Sequence, residues 1–272
     1  MVSTLSLVFM VISLVAIFLL PIGLAIYLYV TKRISLIAIL VGVLGFFISQ
    51  VLIRLPILGA LSQTPFYQQM AAMPVVLGLF LSLTAGLFEE TSRWIGFRYF
   101  LNKRLEHKNA LAHGVGHGGF EAIFLVGLTY INNIVIGMMI NNGTFDTVIA
   151  PQLGIQAEAV RNQLIATSPG MFLVGGMERV FAITFHIALS VVIFLGVRHR
   201  KPVFYWLAVA AHALFNFVAV VLSIYTNVWV SELFVGLCAA GGLWFILKSR
   251  AIDAQMAASR ETGLEAAAEA GG

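Results

Sequence analysis

Apolar residues in this chain do not alternate with polar ones at helical or strand spacing. They run almost unbroken, and polar residues collect in short clusters between the runs. The runs fall at 5–30, 34–53, 73–90, 110–140, 171–197, 203–224 and 228–247. Each approaches or exceeds the roughly 20 residues a helix needs to cross a bilayer core. A helix apolar on every side is surrounded by lipid or by other helices, not by water. The pattern therefore predicts an all-α fold, a polytopic membrane helix bundle of about seven transmembrane helices. Pro21 lies inside the first run and predicts a kink there, not an end. That run has no basic segment before it and no obvious small-residue cleavage site, so it reads as a retained helix and not a removed signal peptide.

Composition agrees. The chain is 60% hydrophobic and 10% charged, where soluble domains carry about 25% charged residues. The net charge of +4 is a topology signal, because the basic residues sit at the ends of runs. Lys32/Arg33, Arg98/Lys103/Arg104/Lys108, Arg198/Arg200/Lys201 and Lys248/Arg250 follow the first, third, fifth and seventh runs. The intervening connectors hold few basic residues, Arg54 and Arg161 among them. Basic loops stay inside, which predicts an outside N-terminus and a cytoplasmic C-terminus in a plasma membrane. No nucleic-acid partner is expected. One membrane-embedded domain, 1–248, is followed by a cytoplasmic polar tail, 249–272, expected to be poorly ordered. The connector 141–170 is expected to be an outer polar loop with a short surface helix near 155–165. Cys238, the single cysteine, excludes a disulfide within the chain.

Charge then appears where it is expensive. Phe88-Glu89-Glu90-Thr91-Ser92-Arg93 ends an apolar run and is followed by Trp94-Ile95-Gly96-Phe97. A carboxylate at the bilayer centre costs about 3 kcal/mol on insertion scales, so such groups need partners. One reading is an ion cluster at a helix end among headgroups; the other is a site. The fourth run opens with His113, His117 and Glu121 at intervals of four, on one helical face and among glycines that permit close helix approach. His186 lies in the fifth run, and His212 and Asn216, one turn apart, lie in the sixth. Each alone reads as a satisfied polar group in a packed bundle.

Depth separates the readings. Counted at 1.5 Å per residue from the nearest basic residue, Glu89 and His117 lie about 14 Å in, His186 about 18 Å and His212 about 17 Å. Four helices thus place a polar group at nearly one level. His113 lies at about 8 Å, and Glu121 and Asn216 at about 20–23 Å, just above that level. Glu178-Arg179, at about 29–30 Å, is set aside as an interfacial pair. Glutamate with several imidazoles facing inward suits a divalent metal such as zinc. The same groups also suit metal-free activation of water by glutamate and histidine, and residue types do not separate the two. No residues are assigned to an organic cofactor.

Together, Glu89-Glu90-x-x-Arg93, His113-x-x-x-His117-Gly-Gly-x-Glu121, Glu178-Arg179 leading to His186, and His212-x-x-x-Asn216 resemble the YhfC family. That family is classed as intramembrane metalloproteases, within a wider group of CAAX prenyl proteases and bacteriocin-processing enzymes. The resemblance implies a peptidase whose substrate is a peptide or membrane protein cut near the cytoplasmic side. It implies Glu89 and Glu90 as base, with Arg93 and Asn216 in support, and His117, His186 and His212 as metal ligands or oxyanion groups. His113 and Glu121 stand as supporting or alternative ligands. Two residues, not the three of prenyl proteases, separate Glu90 from Arg93. A non-catalytic membrane scaffold retaining the polar core is the alternative from another class, and a proton-coupled carrier a third.

Overall fold

The computed structural model describes residues 1–270. Among them are seven helices long and apolar enough to cross a membrane, and no strand. We label these α1 (Thr4–Lys32), α2 (Leu36–Leu61), α3 (Pro74–Phe100), α4 (His107–Asn142), α5 (Pro169–Arg198), α6 (Val203–Tyr225) and α7 (Val228–Ala270). Local chemistry sets several ends. The Ser3 hydroxyl accepts from Ser6 N at 3.0 Å and caps α1. Pro74 and Pro169 sit in the first turns of α3 and α5, where a missing N–H costs no hydrogen bond. Pro21 stays inside α1, which runs on through it.

The centre of the bundle is α5. Two-thirds of its apolar window, 67%, is buried, whereas the other spans bury a third or less and present the rest to lipid. Large apolar residues such as Leu19, Leu87, Trp206 and Leu237 accordingly face outward. In lipid no hydrophobic force draws helices together, so close backbone packing has to do it. Glycines on α4 provide that contact on two faces. A Cβ on Gly114 would lie 2.5 Å from Ile187 Cα of α5, and one on Gly118 would lie 2.8 Å from His186 Cβ. On the opposite face, a Cβ on Gly116 would overlap the Ile39 carbonyl of α2, and one on Gly42 would overlap the His113 carbonyl. The first half of α4 is thereby held between α2 and α5, with α3 packed on α6 beside it.

Three spans contain a wide, π-type stretch: Phe47–Arg54 in α2, Gly96–Phe100 in α3 and Ala122–Gly127 in α4. Such turns change the rotational phase of a helix and are frequent at functional sites. They lie at Gln50 and Arg54, shortly after Arg93, and directly after Glu121.

Two boundaries differ from expectation. The second span does not end at 53: α2 continues to Leu61, and Arg54 lies within it, not in an outer connector. Its charge needs no headgroup interface because the guanidinium has partners in the span. Nη2 donates to Leu81 O at 2.7 Å, Nε to Thr84 Oγ1 at 3.1 Å and Nη1 to Gln50 Oε1 at 2.9 Å. The polar stretch from Ser249, expected as a poorly ordered tail to 272, continues α7 as helix to Ala270, and its last two residues lie outside the described residues. Tertiary contacts hold it: His107 Nε2 lies 2.6 Å from Ser249 Oγ, and His199 Nε2 lies 2.8 Å from Asp253 Oδ1. Ile252 and Met256 pack on the core. The connector between α4 and α5 holds a helix at Ala157–Ala166, close to the expected one, and buries Phe145 and Leu164.

Candidate metal centre

On α3, Glu89, Glu90 and Arg93 are all buried, the last two completely. The spacing i, i+1, i+4 sends Glu89 and Glu90 in directions about 100° apart and lets Arg93 reach back over both. Arg93 Nη1 donates to Glu90 Oε1, and its Nη2 lies 4.0 Å from Glu89 Oε2. The same Nη2 donates across to His186 Nδ1 of α5 at 2.6 Å. A guanidinium has only donors, so His186 accepts at Nδ1 and carries its own proton on Nε2. That Nε2 lies 2.7 Å from Glu121 Oε2 of α4.

His212 of α6 completes the Glu90 side. Its Nδ1 lies 2.7 Å from Glu90 Oε1. The carboxylate accepts, so the proton sits on Nδ1, and Nε2 keeps a free lone pair 3.8 Å from Glu89 Oε2. On the other side of Glu89, His117 Nε2 lies 2.9 Å from Glu89 Oε2. The carboxylates therefore do different work. Glu90 is enclosed by Arg93 and His212, while Glu89 faces His117 and a cavity of about 560 Å³ that Glu121 and Asn216 also line.

Glu89, His117, Glu121 and His186 each offer one ligand atom, and the four atoms lie within 4.8 Å of one another. Two imidazoles and two carboxylates, converging and almost wholly shielded from solvent, are a donor set suited to zinc-like divalent cations. The residues present thus fit a metal. His212 stands beside this group and outside the four.

Depth reasoning placed Glu121 just above the histidine level, yet it stands among the converging ligands. Side chains on a helix lean toward its N-terminus. The helices α4 and α5 run in opposite directions, so Glu121 leans down toward His117 while His186 leans up to meet it. His113, one turn below, is completely buried but elsewhere: its Nδ1 lies 3.2 Å from Ser190 Oγ, and its ring centroid lies 4.7 Å from that of Phe97. Asn216 is half-buried on the cavity wall, one turn beyond His212.

Three residues of the site's surroundings were not among the expected site residues. Arg179, set aside as interfacial, pairs with Glu178 and also places Nη1 3.5 Å from Glu121 Oε1. Its seven-residue spacing from His186 was a usable signal, since two helical turns put both on one face. Gln50 and Arg54 line the cavity with Glu89. Their spacing of four within an apolar run carried the same signal, masked by reading Arg54 as a span boundary.

Comparison with known proteins bears on this geometry. The family described as YhfC intramembrane metalloprotease matches residues 16–235, which include every residue of the site. An uncharacterized membrane protein YhfC of Bacillus subtilis (strain 168) is 33% identical over 256 residues, spanning 93% of this chain and 99% of the relative. No solved structure matches the chain.

Proposed function

The chain belongs to the YhfC family, and on that premise we propose that it is an intramembrane metallopeptidase hydrolysing peptide bonds near the cytoplasmic side of the plasma membrane. The observation that carries this reading is the convergence of four ligand atoms within 4.8 Å inside a membrane bundle, beside a cavity. His117, Glu121 and His186 would hold the cation, His186 Nε2 giving up its proton as the ion binds, with zinc the choice that matches these donors, and three protein ligands leave a position open for chemistry. A divalent cation held there supplies Lewis acidity, polarising a carbonyl and acidifying water.

The remaining work belongs to the chain's own groups. Glu89 lines the cavity and is the group placed to take a proton from the attacking water. Oxygen of that water bonds to the scissile carbonyl carbon, the C–N bond breaks, and the proton held by Glu89 passes to the leaving amine. The Asn216 carboxamide, on the same cavity wall, supplies N–H donors for the carbonyl oxygen as its negative charge grows. Arg93 does not touch substrate; it fixes Glu90 and the His186 ring. Glu90 in turn fixes the His212 tautomer.

Purified protein in nanodiscs, supplied with a peptide library and zinc, is expected to cleave. Glu89→Ala and His117→Ala are expected to lower cleavage at least about 100-fold, the scale of removing a general base or metal ligand. Elemental analysis should find metal in the wild type and less in His117→Ala. Equal cleavage by wild type and variants sinks the proposal, and intact cellular function in Glu89→Gln would favour the scaffold reading.

A further inference from the structure

Arg54 is a cation within a membrane span, and among the described residues no carboxylate lies within 4.0 Å of it. Its three hydrogen bonds go to neutral acceptors, Leu81 O, Thr84 Oγ1 and Gln50 Oε1. A guanidinium has five N–H donors, so one remains on each terminal nitrogen, free for a charged acceptor such as a carboxylate. Gln50 adds another. It is only 4% exposed, Arg54 occupies its Oε1, and its Nε2 is buried with no partner among the described residues. Both side chains line the cavity that reaches Glu89 and Glu121, whose intervening wall is apolar at Leu77, Leu81, Leu125 and Val220. Unused donors and one positive charge share this cavity with Glu89 and Glu121, but no carboxylate among the described residues makes a hydrogen bond to Arg54.

The distance to the metal centre follows from α3. Thr84 and Leu81 precede Glu89 by five and eight residues, about 8–12 Å along a helix. An extended peptide covers about 3.3–3.6 Å per residue, so that span corresponds to two to four residues. We infer that Arg54 and Gln50 form a recognition subsite for a substrate carboxylate lying two to four residues from the bond hydrolysed. The inference rests on the peptidase reading above and adds to it a substrate class: apolar peptides carrying an acidic group near the cut. That group is either the peptide's own C-terminal carboxylate or an acidic side chain.

The test uses one apolar peptide that the full-length protein cleaves, made with a free-acid or an amidated C-terminus, and with Glu or Gln at the third residue from the cut. The wild type should favour one acidic member over its neutral twin by about tenfold or more in kcat/KM, the scale of a charge-assisted hydrogen bond. The acid/amide pair identifies a terminal carboxylate, and the Glu/Gln pair a side chain. In Arg54→Gln the acid-over-neutral ratio should fall to about one, and in Arg54→Lys part of it should return. Gln50→Met, which leaves Arg54 in place, should reduce the ratio severalfold and serves if Arg54→Gln does not fold. No preference in the wild type, or a preference that survives in Arg54→Gln, overturns the subsite. If no peptide is cleaved, the peptidase reading fails by itself. Equilibrium binding of the same labelled peptides to wild type and Arg54→Gln then decides the subsite: a tenfold preference lost in the variant supports it, and equal affinities overturn it.

Discussion

Arg93 has no exposed surface, and it joins three helices through two hydrogen bonds and their extensions. It donates to Glu90 on its own helix and to His186 on α5, while Glu90 holds His212 on α6. Removing the guanidinium would leave Glu90 buried opposite an imidazole alone. Breaking a buried ion pair by deleting one partner costs about 3–5 kcal/mol, because the remaining charge has no compensation. Arg93→Met is therefore expected to lower unfolding free energy by about that much in a detergent titration. Arg93→Lys is expected to recover little, since one ammonium cannot supply the planar fork that reaches Glu90 and His186 together. Full recovery by lysine would show that charge, and not geometry, is what the position requires.

The glycines of α4 set the spacing of the centre because they admit neighbouring backbones where a side chain would stand. Gly118 is the clearest instance, its virtual Cβ lying 2.8 Å from His186 Cβ and 3.3 Å from Ile183 Cα. Gly118→Ala should push α5 away from α4 and misplace His186 relative to Glu121 and His117. The expected result is a 10- to 100-fold weaker metal affinity, of the order seen when the support of a ligand is disturbed, with helical content unchanged by circular dichroism. Gly241→Ala is the control: nothing lies within 4 Å of a Cβ there, and metal affinity should match the wild type. The wide turn beginning at Ala122 belongs to the same device, since it lets Glu121 face the site while the rest of α4 turns to other neighbours.

At the scale of the molecule, the bundle combines a lipid-facing apolar shell, a polar layer at one depth, and a helical extension of α7 tied to its base. Asp253 meets His199 at 2.8 Å and Arg198 Nε at 3.1 Å. These contacts hold the start of the segment that composition marks as a loose tail, residues 249–256, as a continuation of α7. Asp253→Ala should raise amide exchange beyond residue 250 by about fivefold, the effect of losing roughly 1 kcal/mol from a partly exposed pair, while the spans keep their protection. Unchanged exchange would mean that Ile252 and Met256, packed on the core, hold the extension by themselves.

Much of this molecule is local information. Hydropathy over about 20 residues is enough to place a membrane helix, so the seven spans and their order could be read directly from the chain. The cost of burying charge in lipid marks Glu89, Arg93, His117 and His186 as residues needing partners, and counting from basic residues brings Glu89, His117, His186 and His212 to nearly one level. What depth cannot supply is rotation about each helix and the identity of its lateral neighbour. Those depend on glycine faces, wide turns and opposite helix directions that meet only in the folded bundle. They brought Glu121 into the converging group, set His212 beside it as the partner of Glu90, and linked Arg179 to Glu121. They also drew Arg54 inside a span, where the linear reading had placed a boundary. The hexapeptide around Glu89 announces a site by its charge; only packing decides that Glu89 faces the cavity and Glu90 the arginine.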